Sequence, residues 1–259
     1  MPKTISSVQN PRVKFYCSLR QKSSLREESG LFTLEGRREV ERCAASGFRI
    51  QSLFVCPDIA QGFMAPEAQE VFEVSRPVYG KMACREGSEG VMAIAKARRL
   101  TLGELSLPAS PLVVVLESVE KPGNLGAVLR SADAAGADAV LICDPLTDIF
   151  NPNTIRASLG TTFSVKTVAC TSVEAVQWLK AKGIQILTAQ LQDSSYYYDV
   201  DMKKGTALVM GNEATGLSSL WREAADAHIK IPMLGLADSL NVSVSTAILL
   251  YEAVRQRQK

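Results

Sequence analysis

From residue 112 onward, short apolar runs alternate with helix-patterned stretches, and this alternation limits the fold more than any other feature of the chain. The apolar runs cover residues 112–116, 139–143, 165–168, 184–189, 207–210 and 229–231. The helical stretches cover 125–135, 153–159, 172–182, 218–225 and 242–256. Strands that are apolar throughout, separated by helices, predict an α/β fold with a parallel sheet covered on both faces. Upstream lies a smaller α/β series, with helices expected over 10–26 and 37–45 and near 66–73 and 77–83, and strands over 31–34, 52–56 and 90–96. The stretch between them carries Arg98, Arg99, two prolines and several small residues, and reads as a linker. The expected organisation is therefore a domain over 1–97, a linker over 98–111 and a second domain over 112–259.

Composition removes several classes of function. No apolar stretch approaches the ~20 residues that a membrane-spanning helix needs, and the first ten residues lack a secretory signal pattern. A soluble, cytoplasmic protein is expected. The six cysteines are scattered with no C-x-x-C pair, which argues against a zinc site or a disulfide framework. His228 is the only histidine and no G-x-S-x-G elbow accompanies it, so a Ser-His-Asp relay is disfavoured. No metal is expected. Charge is uneven: Lys3, Arg12, Lys14, Arg20, Lys22 and Arg26 precede the first acidic residue. Such a block serves either as a phosphate-attracting surface or as a solvated helix face, since Val13, Phe15, Tyr16 and Leu19 lie among the cations.

Three loops of small and polar residues each follow an apolar run. The first is Lys121-Pro122-Gly123-Asn124-Leu125-Gly126, with Arg130 beyond it. The second is Met210-Gly211-Asn212-Glu213-Ala214-Thr215-Gly216. The third is Ile231-Pro232-Met233 leading to Asp238-Ser239-Leu240-Asn241-Val242-Ser243. Loops of this kind at helix N-termini offer unpaired N–H groups to a ligand. In the first, Asn124 is expected at the helix N-cap, and Leu125, Val128, Leu129 and Ala132 form a stripe facing the sheet. Arg130 then projects away from that stripe, either toward a phosphate or carboxylate or into a pair with Asp133 or Asp138. Glu213 reads equally as a helix-dipole partner, and Ser239 and Asn241 as caps of the last helix. Taken singly, each loop has an ordinary explanation; the likeness of all three predicts one composite site. A dinucleotide reading fails at the first loop, which lacks G-x-G-x-x-G with a well-placed acid, and the P-loop lysine motif is also missing.

At these residues the chain resembles the SpoU (TrmH) family of RNA ribose 2′-O-methyltransferases, in the SPOUT superfamily. The likeness covers about residues 112–257 in three motifs: 120–132, 208–217, and 231–233 continuing through 239–245. It departs at Lys121, where an Asp commonly precedes the proline, and at Ser245, where Ala is common. The N-terminal part is similar, through residues 10–14, 32–36 and 89–94, to the ribosomal-protein-L30e-like substrate-binding domain of many members.

The resemblance implies a C-terminal SPOUT sheet domain with a deep trefoil knot, a homodimer, and transfer of the methyl group of S-adenosylmethionine to a ribose 2′-OH. It implies that Asn124, Arg130, Glu213, Ser239 and Asn241 surround the acceptor ribose. Met210, Gly211, Ile231, Pro232, Met233, Leu240, Val242 and Ser243 are expected to hold the cofactor, largely through backbone. It also turns the basic block toward RNA, with Arg12, Lys14, Arg20, Lys22 and Arg26 as contacts. Ribosomal RNA of the 23S type is the favoured substrate over tRNA, because of the separate N-terminal domain. Two further readings are a non-catalytic RNA-binding or ribosome-assembly protein with the same fold, and a nucleotide-dependent oxidoreductase. The intact polar positions weigh against the first, and the missing fingerprint against the second.

Overall fold

The computed structural model describes residues 3–84 and 89–258. The chain divides into two compact units, Met1–Arg98 with Asp148–Ser164, and Arg99–Thr147 with Val165–Lys259.

The first unit begins with β1 (Lys3–Ile5), α1 (Pro11–Gln21), α2 (Ser23–Ser29), β2 (Leu31–Glu35), α3 (Arg37–Ala45), β3 (Ile50–Val55), β4 (Ala68–Val74), α4 (Arg76–Met82) and β5 (Val91–Lys96). Its sheet has the order β1-β4-β3-β5-β2; β1, β4 and β3 run parallel, and β5 is antiparallel to β3 and β2. Two expectations are corrected here. The segment near 66–73 is the strand β4 and not a helix, because it pairs with β1 and β3 and buries Phe72 and Val74. The single helix expected over 10–26 is broken at Lys22, whose backbone is extended at φ −104° and ψ 113°. Val13, Tyr16 and Leu19 of α1 pack with Phe54, Phe72 and Ile94 on one side of this sheet.

The second unit opens with β6 (Leu112–Glu117), α5 (Pro122–Ala135) and β7 (Ala139–Cys143). The chain then contributes Asp148–Ser164, containing α6 (Pro152–Ala157), to the first unit. This segment falls within the range 112–259 expected for the second domain, yet Phe150, Ile155 and Phe163 join Phe32, Val40, Leu53 and Ala93 in the first unit's other core. The second unit resumes with β8 (Thr167–Cys170), α7 (Ser172–Ala181), β9 (Gln185–Ala189), β10 (Ser195–Tyr196), β11 (Thr206–Met210), α8 (Ser219–Ala224), β12 (Ala227–Lys230) and α9 (Val242–Arg257).

Its seven strands follow the order β10-β12-β9-β11-β6-β7-β8, and every pairing is parallel. All residues of β6, β7 and β11 are buried, as a sheet covered on both faces requires. Val113, Val115, Leu141, Ile186 and Val209 share a core with Ala175, Leu179 and Trp221 of α7 and α8. Elsewhere α9 lies against α5 and β11. Because the strands are parallel, the loops after β6, β11 and β12 all leave from one edge of the sheet.

Candidate active site

Pro122 occupies the first turn of α5, where its missing N–H costs nothing, and the helix starts before Asn124. Asn124 is therefore not the N-cap, as the loop pattern had predicted; Lys121 takes that place without a side-chain bond. Freed from capping, the Asn124 carboxamide joins the other two loops. Its Nδ2 donates to Glu213 Oε1, and its Oδ1 accepts from Asn241 Nδ2 at 3.1 Å. Asn241 caps α9, accepting from the Ser243 N–H at 2.9 Å and the Ser243 hydroxyl at 2.6 Å. One hydrogen-bonded series, Glu213–Asn124–Asn241–Ser243, thus ties together all three loops.

The second loop is rigid for steric reasons. A Cβ on Gly211 would lie 2.5 Å from the Gly216 carbonyl carbon and 2.7 Å from the Leu217 nitrogen, so a side chain there must displace backbone. Asn212 bridges to Gly216, accepts from the Ala214 N–H at 2.8 Å, and donates to the Ser118 carbonyl at 2.8 Å. Ser118 needs that support, since its φ of 51° is left-handed for a residue with a side chain. Beside it the buried Glu117 accepts from the Ser218 N–H at 2.9 Å and from the Ser172 hydroxyl at 3.5 Å. Asn212 and Glu117 were missed as site-forming residues. Asn212 stands inside the quoted motif, and Glu117 is an acid closing the apolar run 112–116; each was a visible signal without an assigned role.

Along the third loop, Ile231, Pro232 and Met233 are half-buried, and Leu240 is exposed. Met210 and Val242 are buried at the strand end and the helix start. Residues 233–240 make no main-chain hydrogen bond with other described residues, so their amides and carbonyls are available to a ligand. Ser239 donates only to its neighbour Asp238, at 3.2 Å. Arg130 is exposed on α5. The structure does not bring Arg130 into hydrogen-bond contact with the Asn124 series. Asp138 instead accepts from the Leu112 N–H at 2.8 Å.

The basic residues of the first unit divide. Lys14 and Lys22 are exposed. Arg12 is exposed but paired with Glu70, whose carboxyl is held below its ordinary range by hydrogen bonds from Arg12 first and Lys3 second. Arg20 is half-buried and donates to the Met82 carbonyl. Arg26 corrects the sequence expectation: it is only 4% exposed. Its Nε meets Asp148 Oδ2 at 2.6 Å and its Nη1 the Leu19 carbonyl at 2.8 Å, so it caps α1 from within and is not presented to RNA. His228 sits beside the Thr188 hydroxyl, Nδ1 to Oγ1 2.6 Å. Cys43, Cys56 and Cys143 are buried thiols, and burial pushes Cys43 up to about 12. No group of three or more potential metal ligands occurs among the described residues.

The SpoU rRNA methylase family profile matches residues 111–251, and the MRM3-like substrate binding domain profile matches 10–93. The chain is 30% identical over 249 residues to the 23S rRNA (guanosine(2553)-2′-O)-methyltransferase RlmP of Bacillus subtilis, covering 96% of this chain and 98% of that one. Among solved structures, an RNA 2′-O ribose methyltransferase superimposes with a TM-score of 0.87 at 38% identity, over 99% of this chain and 100% of its own. An AdoMet-bound rRNA methyltransferase from Sinorhizobium meliloti gives 0.88 at 31% identity, over 98% and 97%. With three loops joined at one edge of an all-parallel sheet, and these likenesses running through both units, the chain belongs to the SpoU rRNA methylase family.

Proposed function

We propose that this chain methylates a ribose 2′-hydroxyl of 23S-type ribosomal RNA, using S-adenosylmethionine bound by the second and third loops. The carrying observation is the series Glu213–Asn124–Asn241–Ser243, which fixes three loops relative to one another at one sheet edge. The residues present fit the cofactor. Residues 233–240 offer unpaired main-chain groups, and Ile231, Pro232, Met233 and Leu240 supply apolar surface that water still reaches. Met210, Gly211, Val242 and Ser243 complete that wall, and the tight packing at Gly211 keeps its backbone in place. S-adenosylmethionine supplies the methyl group from its sulfonium centre.

The protein's own part is to position the acceptor. Asn124, Glu213, Ser239 and Asn241 surround the ribose, and holding its hydroxyl in line supplies much of the acceleration. Arg130, exposed on α5, grips the neighbouring phosphate and stabilises the developing alkoxide. A guanidinium keeps its proton and is a poor base, so charge and fork geometry are its contribution. Lys14 and Lys22 provide sequence-independent attraction to the RNA.

The same reading takes the first unit as an L30e-like substrate-binding domain and the chain end as the threaded part of a deep trefoil knot. In support of the knot, α9 begins at Asn241 beside Asn124, and Arg257 at its far end donates to the Ser110, Pro111 and Lys204 carbonyls. A homodimer is supported by exposed apolar side chains on the third loop and α9: Leu234, Leu236, Val244 and Tyr251. A cytoplasmic setting accords with a ribosomal substrate; no helix among the described residues is long and apolar enough to cross a membrane.

Calorimetric titration with S-adenosylmethionine, with labelled methyl transfer to ribosomal RNA, tests the reading. Arg130→Ala is expected to keep cofactor affinity and lose transfer by about a hundredfold or more, the magnitude typical of removing one charge-stabilising donor. Arg130→Lys separates charge from fork. Near-normal transfer by Arg130→Ala would overturn the assigned role.

A further inference from the structure

A cavity of about 260 Å³ in the first unit opens between the start of α1 and the sheet, lined by Pro11, Arg12, Phe15, Gln51, Ser52, Phe54 and Ile94. It is far larger than the ~30 Å³ share of one water molecule and just below the ~300 Å³ at which pockets for drug-sized ligands begin. It suits a single ring system.

Its lining is unusual in one respect. Adjacent strand residues normally face opposite sides of a sheet, yet Gln51 and Ser52 both line this cavity. The β3–β5 register shifts between Ile50 and Ser52, a bulge with Gln51 as the extra residue, and bulges re-aim side chains. Ser52, only 5% exposed as a residue, stands at the cavity wall beside Gln51, so a hydroxyl and a carboxamide fall among otherwise largely apolar lining. A hydroxyl donates and accepts and a carboxamide does both, so the two can pair with the polar edge of a guest.

The rest of the lining matches a flat, polarisable guest. Phe15 presents a ring that is 37% exposed. The Arg12 guanidinium is held in plane, 4.6 Å above the Phe72 ring and with Nη2 3.1 Å from Glu70 Oε1. Aromatic rings and guanidinium planes are the surfaces on which unstacked RNA bases rest, while amides and hydroxyls read their edges. Lys14, exposed on the same helix, supplies attraction for the attached phosphates.

We infer that this cavity receives one unstacked nucleobase of the RNA, stacked against Phe15 and Arg12 and hydrogen-bonded by Ser52 and Gln51. The choice of RNA as ligand rests on the proposed function; the pocket itself rests on the first unit alone.

The test uses the full chain and fluorescence anisotropy with three labelled probes: a single-stranded RNA octamer, the same octamer with abasic sites, and a duplex of equal length. The octamer is expected to bind at least tenfold more tightly than the abasic probe. Phe15→Ala should remove about that factor without changing the salt dependence, since no phosphate contact is lost. Ser52→Leu fills the cavity and should act alike; if it does not fold, Phe15→Ala, altered at a partly exposed ring, carries the test. Equal binding of intact and abasic octamers, unchanged binding by Phe15→Ala, or no octamer binding by the wild type would each overturn the pocket. Methyl transfer to ribosomal RNA by the wild type is measured in parallel. Transfer without base discrimination removes the pocket and leaves the function, whereas discrimination without transfer removes the function.

Discussion

Asn124 lies between a carboxylate and a second carboxamide, and only a side chain that donates from one end and accepts at the other serves both neighbours. Asn124→Asp keeps the volume but removes the donor and places a second negative charge against Glu213. We expect the first and third loops to separate from the second, with kcat/KM falling at least tenfold, equivalent to about 1.4 kcal/mol of transition-state stabilisation. Steady-state methyl transfer checks this, and an unchanged value would show that the series is incidental to activity. The residue types of this site were visible in the three motifs, because amides, small residues and one acid recur where main chain is left unpaired. The bond partners were not visible: Asn124 read as a cap because it precedes an apolar stripe, whereas Pro122 had already started the helix. Arg26 read as a surface cation for the same local reason. Its pairing with Asp148 joins residues 122 apart in the chain, and no pattern within α2 announces it.

Elements whose burial is written in their own residues match the sequence reading: α3 over Arg37–Ala45 buries one face, and β7 over Ala139–Cys143 is apolar and buried throughout. β4 shows the opposite case. Pro66, Glu67, Ala68, Gln69 and Glu70 form a good helix start by propensity, but pairing with two parallel neighbours overrides it. β1, three residues long, is too short to carry a period and was not anticipated. α7 was read because its ends are coded locally. Its capping box joins the Thr171 hydroxyl to the Glu174 N–H at 3.2 Å, and the Glu174 carboxylate to the Thr171 N–H at 2.8 Å. The bond from the Thr171 N–H first, and one from the Thr171 hydroxyl at 2.8 Å second, hold the Glu174 carboxyl below its ordinary value of 4.5. Its contribution to stability is therefore complete above pH 4.5 and is lost as pH falls through the lowered value. Thermal unfolding of Glu174→Ala and wild type should differ at neutral pH and converge in acid. Thr171→Ala should cost about 1 kcal/mol at neutral pH, a Tm decrease of about 2–4 °C. A gap that widened in acid would contradict the assignment.

The chain passes out of the second unit after Thr147 and re-enters it at Val165, and the intervening segment completes a core made otherwise from Met1–Arg98. Phe32 is fully buried, with ring centroids 4.6 Å from Phe150 and 5.7 Å from Phe163. Arg26 likewise finds its carboxylate on Asp148. The linker composition of residues 98–111 marks where the backbone changes unit but says nothing of this later return, which depends on contacts more than a hundred residues apart. A fragment of residues 1–98 should therefore be poorly stable. Uncovering the faces that Phe150 and Phe163 bury removes about 1.5–3 kcal/mol for each ring, a large share of the ~5–15 kcal/mol that holds an average domain. A peptide of residues 148–164 added in trans binds the folded fragment alone, so the urea midpoint of the fragment should rise with peptide concentration. In the full chain Phe163→Ala should cost about 3–5 kcal/mol. If fragment 1–98 unfolds cooperatively at the midpoint of the full chain's first unit, and the peptide leaves that midpoint unmoved, the segment packs on a core that is already complete.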